Sequence, residues 1–231
     1  MEIFISNLEN KIGYIFKNKQ LLETALRHAS AVNEIKKGLP SNERMEFLGD
    51  AILNVCLTDY LYFNFPKQTE GELTMKKAYL QSEQTLANIA RNVNLGAAVI
   101  LGESEKNNNA NERDRLLADV MEAVIAAIYL DADFETIKKV ISKLYYQNFG
   151  NLDDELQKLQ SKNVLQTITN RKYKINPEYI IANVDGPDHQ RSYSVIVKIN
   201  GEDFGCGTAA NKKEAELLAA KMALQKLKNY E

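Results

Sequence analysis

Histidine and cysteine are scarce in this 231-residue chain, with two of each. Neither His28 nor His189 follows a glutamate three positions back, so the Glu-x-x-His pair of carboxylate-bridged redox proteins is missing. No Ser-His-Asp or Cys-His set competes, because Cys56 lies in an apolar helical stretch with neither histidine nearby in sequence. Cys56 and Cys206 fall in different candidate domains and make neither a disulfide framework nor a zinc site, which points to a reducing, cytoplasmic home. A Walker loop and a GxGxxG are both absent. No run of 18 apolar residues appears, so no membrane span is expected. The opening MEIFISNLENKIGY has acids early and no basic n-region, so no secretory signal is expected.

What the chain has is an uneven charge. Its net charge of −2 hides 18 Lys and Arg against 23 Asp and Glu in residues 1–160, and 11 against 8 in residues 161–231. An acidic first part suits a cation site, and a mildly basic second part suits a polyanion.

The acids of the first part are patterned. In NERMEFLGDAILNVCL, offsets of three and seven place Glu43, Glu46 and Asp50 within an arc of roughly 60° on a helix. Most of the remaining circumference is apolar, so this helix is expected to be buried on several sides. In LLADVMEAVIAAIYL, Asp119 and Glu122 share a face, and the small Ala126 one turn on is expected to leave room for a substrate. Carboxylates crowded on buried stripes repel one another and lose hydration unless a cation answers them. Arg44 and Arg115 are the nearby side chains that would serve as simple ion-pair partners. The alternative is Mg²⁺ or Mn²⁺, hard ions that prefer oxygen ligands. Such ions polarise a phosphoryl oxygen and steady a leaving oxygen, so metal-assisted phosphodiester hydrolysis is the reaction this pattern favours.

Helical periodicity runs through residues 1–149, including a long helix ended by Pro66 and two more split near Asp131–Asp133. The polar ESEKNNNANERDR (103–115) reads as a mobile surface loop. GNLDDE (150–155) reads as a linker. Residues 156–231 then read as an α-β-β-β-α unit, with Asn200-Gly201 as a tight hairpin turn and Asn211 with Glu214 as a capping pair for the last helix. Lys212 and Lys213 in the first turn of that helix suit phosphate. Gly186-Pro187-Asp188-His189 forms a turn able to offer main-chain groups and an imidazole to a groove. Gln166 can donate to and accept from a ribose 2′-hydroxyl.

Two segments carry a family resemblance. NERMEFLGDAIL (42–53) resembles the defining motif of ribonuclease III, and LLADVMEAVIAAIYLD (116–131) resembles its second motif. The tail is similar to a double-stranded-RNA-binding domain through GPDH (186–189), the GCG of the third strand and NKKEAELLAA (211–220). The resemblance implies an all-α catalytic and dimerisation domain (1–149) and an α+β RNA-binding domain (156–231). Its implied activity is that of a Mg²⁺-dependent homodimer, with Mn²⁺ as a substitute, which cuts both strands of duplex RNA to leave 5′-phosphate and 3′-hydroxyl ends. Ribosomal and messenger RNA processing would be its role. By the same resemblance Glu46, Asp50, Asp119 and Glu122 hold metal, Asp50 and Glu122 are catalytic, and Glu43 and Glu70 line the cleavage site. Gln166, His189, Lys212 and Lys213 would touch RNA. The chain departs from the family at NNNANERDR, where a glycine pair and an arginine usually stand, and at Asn163 and Thr167, usually Thr and Glu. A non-catalytic RNA-binding protein with a helical dimerisation domain is the rival reading; a redox metalloprotein is the third.

Overall fold

Helix follows helix through the first part of the computed structural model, which describes residues 2–35, 38–149, 152–187 and 191–228. The helices are α1 (Glu2–Ile12), α2 (Lys19–Ala25), α3 (Ala29–Ile35), α4 (Glu43–Asn64), α5 (Glu70–Leu80), α6 (Glu83–Asn92), α7 (Glu103–Asn107), α8 (Asp114–Asp131) and α9 (Phe134–Phe149). Local chemistry sets several of their ends. Asn18 caps α2, Thr69 and Glu72 form a reciprocal capping box on α5, and Ser82 caps α6. Helix α4 stops at Asn64 because Phe65 precedes Pro66, which disfavours helical backbone in the residue before it.

Helix α8 is the axis of this unit. Every residue from Ala123 to Ile128 is buried, and α2, α4, α6 and α9 pack against it. Its C-terminal Asp131 accepts hydrogen bonds from the Tyr14 hydroxyl (2.7 Å) and from the main-chain N–H groups of Lys17 and Asn18 (2.7 and 2.9 Å). That pins the segment joining α1 to α2.

Three expectations change here. Helix α4 is buried on one side only. Ile52, Leu53, Leu57 and Leu61 are enclosed, each worth about 1.5–3 kcal/mol relative to exposure. The opposite face leaves Phe47 82% exposed, with Val55, Tyr62 and Phe63 also in the open. Secondly, Ala126 is fully buried within α8 and leaves no room for a substrate. Thirdly, the stretch 103–115 holds regular structure where an open loop was expected. It holds α7, a 3-10 turn at Ala110–Glu112 with Ala110 buried, and Arg113 bridging to Glu105 and the Asn108 carbonyl.

The chain divides between Gly150 and Asn151 into two units. The second contains α10 (Leu152–Tyr173), β1 (Glu178–Asp185), β2 (Ser192–Ile199), β3 (Glu202–Ala209) and α11 (Lys212–Lys228). Residues 152–155, expected as linker, are the start of α10; none of the four is proline or glycine, so nothing in the backbone prevents the helix from beginning there. The sheet is antiparallel in the order β1-β2-β3. Asn200 (φ 54°) and Gly201 (φ 81°) turn β2 into β3, the positive-φ pair that a two-residue hairpin needs. Val195, Val197 and Ile199 alternate into a core completed by Leu165 and by Ala215, Ala219, Ala220 and Ala223 of α11. A side chain at Gly205 or Gly207 would collide with the α11 backbone, so the glycines of the GCG segment let helix and strand touch.

Candidate active site and nucleic-acid interface

Helices α4 and α8 cross so closely at Gly49 that a Cβ there would overlap the carbonyl oxygen of Glu122. That contact is what the glycine of LGD provides. It brings Asp50, the next residue, and Glu46, three before it, up to Glu122, while Asp119 lies one turn earlier on α8.

The electrostatics follow. Burial pushes Glu122 up first, and then Asp50, Glu46 and Asp119 add their repulsion, carrying it from the ordinary 4.5 to about 8. Glu46 is raised by burial, then by Asp119 and Glu43, with Arg115 opposing. Asp119 is raised by burial, opposed by Arg115 and His28, and raised further by Glu83. Glu46, Asp50, Asp119 and Glu122 therefore share one neighbourhood. Glu43 stands at its edge, exposed and accepting from the Ser41 hydroxyl at 2.7 Å.

Simple ion pairing does not account for the cluster. Arg44 makes no ion pair among the described residues. Arg115 reaches Asp119 only at 3.9 Å from a side chain 85% exposed. Among the described residues no three acid, histidine or cysteine side chains already close round a point as a finished metal cage. The acids converge as a neighbourhood, with Asp50 and Glu43 exposed at its surface.

Glu70 lies elsewhere. It accepts from the Thr74 hydroxyl (3.2 Å) and lines a hollow of about 480 Å³ with Thr58, Leu61, Tyr62 and Lys77. Thr58 is eight residues beyond Asp50, about 12 Å along the axis of α4. Two groups near Asp119 were missed in the sequence. Glu83 starts α6, and His28 follows α2, anchoring its Nδ1 on Ser30 (2.9 Å to the hydroxyl). No spacing rule connects either to Asp119. The Cys56 thiol is buried and pushed up to about 11, which removes it as a nucleophile.

In the second unit, Asn211 accepts from the Glu214 N–H (2.9 Å) and starts α11, leaving Lys212 and Lys213 exposed in its first turn. Gln166 is exposed and donates to Asn176 Oδ1 at 3.2 Å. Gln166 and Lys213 line one hollow of about 610 Å³ with Lys162, Asn176 and Tyr179. Lys162 carries no motif signal in the sequence. Its ammonium sits 2.7 Å from Glu216 and 4.4 Å from the centre of the Tyr179 ring, and Glu216 also lies 3.9 Å from Lys212. His189 lies outside the described residues; before it, Gly186 takes φ +90° and donates its N–H to Asp185.

Comparison with known proteins agrees with both halves. A family model described as Ribonuclease-III-like matches residues 18–149, and one described as Double-stranded RNA binding motif matches residues 161–227. Ribonuclease 3 of Pseudothermotoga lettingae is 40% identical over 98% of this chain and 97% of that one. Ribonuclease 3 of Borreliella burgdorferi is 38% identical over 96% of this chain and 90% of its own. Among solved structures, the nuclease domain of ribonuclease III from Campylobacter jejuni superposes with a TM-score of 0.60 at 41% identity, covering 63% of this chain and 99% of that one. Fold and site thus define the class: a helical nuclease domain followed by a domain that binds double-stranded RNA. The chain belongs to the ribonuclease III family, and its activity is that of an endoribonuclease acting on double-stranded RNA.

Proposed function

We propose that this enzyme hydrolyses RNA phosphodiesters with Mg²⁺ held by Glu46, Asp50, Asp119 and Glu122, leaving 5′-phosphate and 3′-hydroxyl ends. The observation that carries this is the state of Glu122, half-enclosed and facing three other carboxylates. The donor set is all oxygen, as Mg²⁺ and its substitute Mn²⁺ require. When bound, such an ion polarises the scissile phosphoryl group and lowers the barrier to attack by water.

The protein's own groups do the rest. Burial and the neighbouring carboxylates favour the protonated form of Glu122 in the metal-free site, so metal would be held more tightly at higher pH. Glu43 borders the cluster and helps place the strand to be cut. Gln166, Lys212, Lys213 and His189 hold the duplex by shape and charge, with contacts to the minor groove and to phosphates.

A homodimer through α4 supports this reading. Phe47 and Val55, eight apart and both exposed, lie on one face of α4 that a second copy would cover. A region of the Campylobacter jejuni nuclease domain is described as involved in dimer formation. Glu70, at the start of α5, lines a hollow beside Thr58, about 12 Å along α4 from Asp50, so it acts on its partner's site rather than on its own subunit's acids. Phe47→Asp is expected to give monomers in sedimentation. Processing of ribosomal and messenger RNA in the cytoplasm is the role that fits; among the described residues no helix is long and apolar enough to cross a membrane.

The test is Glu122→Gln assayed on a defined RNA hairpin with Mg²⁺. Cleavage falls at least about 100-fold while binding persists. Undiminished cleavage removes Glu122 from the reaction, and a wild type that binds without cutting supports a non-catalytic RNA-binding role instead.

A further inference from the structure

Arg115 stands at the lip of the carboxylate cluster, and a structural role explains it poorly. Offsets of four and seven put Arg115, Asp119 and Glu122 within roughly 60° on α8. Its charge lowers two members of the cluster, Asp119 on α8 and Glu46 on α4. Yet the side chain is 85% exposed, and its one ion pair, to Asp119 at 3.9 Å, is too long for a hydrogen bond. It occupies the first turn of α8, where the helix dipole disfavours a cation. A basic residue four positions before an acid is also the weaker order for a helical pair.

Neighbouring arginines are committed elsewhere. Arg91 pairs with Asp114 and donates to the Glu112 carbonyl at 2.9 Å. Arg113 pairs with Glu105 at 3.2 Å. Arg115 alone of the three keeps its guanidinium fork clear of hydrogen bonds among the described residues. A site built of acids repels the phosphates that must lie against it. A guanidinium at its edge, able to grip a phosphate with two parallel donors, offsets that repulsion where it is strongest.

We propose that Arg115 is a phosphate-contacting residue of the cleavage site. With a duplex seated on the carboxylates, its guanidinium turns from Asp119 and donates to the non-bridging oxygens of a backbone phosphate beside the one that is cut. This rests on the four carboxylates being the cleavage site.

The experiment uses the full chain and a defined RNA hairpin. Arg115→Ala raises KM about ten-fold with kcat within about three-fold, the effect of losing a charge-assisted contact. The slope of log KM against log salt becomes shallower by about one. Arg115→Lys recovers the slope but only part of the affinity, because an ammonium keeps the charge without the fork. A second readout is free of catalysis: in EDTA, Glu122→Gln binds the hairpin several-fold more tightly than the Arg115→Ala/Glu122→Gln double variant. Unchanged KM, slope and EDTA binding, with half-maximal activity moved to lower Mg²⁺, would mean that Arg115 only neutralises Asp119 and Glu46 and would overturn the proposal. Full cleavage by Glu122→Gln would instead overturn the location of the site; the EDTA comparison would still decide for or against Arg115.

Discussion

Glu122 and Glu216 are both partly enclosed glutamates on helices, and their surroundings are opposite. Glu216, with 14% of its side chain exposed, receives Lys162 at 2.7 Å and Lys212 at 3.9 Å. Glu122 faces Asp50, Glu46 and Asp119, and is carried to about 8. The first is satisfied by its own chain, and the pairing fixes Lys162 beside the hollow that Gln166 and Lys213 line. The second calls for a cation from outside. Enclosure of an acid is therefore no guide to its role; the sign of the neighbouring charges is.

The largest effect that tests this contrast comes from the helix crossing that builds the acidic site. Gly49→Ala forces a Cβ into the Glu122 backbone, and α4 and α8 must part. A loss of about 3 kcal/mol or more in denaturant unfolding is expected, with cleavage lost as well. An unaffected protein would mean that the crossing is looser than described.

Next comes one substitution made in both places. Glu216→Gln leaves Lys162, with 35% of its side chain exposed, short of a counter-charge, and destabilises by about 1–2 kcal/mol. Glu122→Gln removes a repelled carboxylate and stabilises the metal-free protein at pH 8. Opposite signs from the same change, read by thermal unfolding in EDTA, would establish the contrast; equal signs would break it. The smallest effect is at the exposed first turn of α11. Lys213→Ala weakens hairpin binding a few-fold and makes its salt dependence shallower by about one, with unfolding unchanged.

Much of this was legible in the sequence because local rules govern it. The periodicity of α4 and α8, the stop before Pro66, the Asn200-Gly201 turn and the Asn211 cap all follow from spacing and backbone preference. So did the membership of Glu46, Asp50, Asp119 and Glu122 in one neighbourhood, through the family resemblance. What was not legible depends on contacts between distant segments. Glu83 and His28 come to Asp119 from separate elements. Lys162 meets Glu216 across 54 residues. Ala126 looked like open space and is core, because α8 is surrounded. Helix α4, expected to be buried on several sides, keeps an exposed apolar face, since helical apolarity alone cannot distinguish a core from a surface awaiting a partner.

The proposed site works only if its carboxylates are costly when ionised and are answered by a divalent cation. For Glu122, whose folded-state value is raised, the stability it contributes is present below 4.5 and lost as pH rises through about 8. The decisive measurement is unfolding free energy against pH for the wild type and Glu122→Gln, in EDTA and in Mg²⁺. In EDTA the wild type should lose stability relative to the variant across that window, and Mg²⁺ should abolish the loss by binding the ionised site. Parallel curves for the two proteins in EDTA, or no response of the wild type to Mg²⁺, would contradict it.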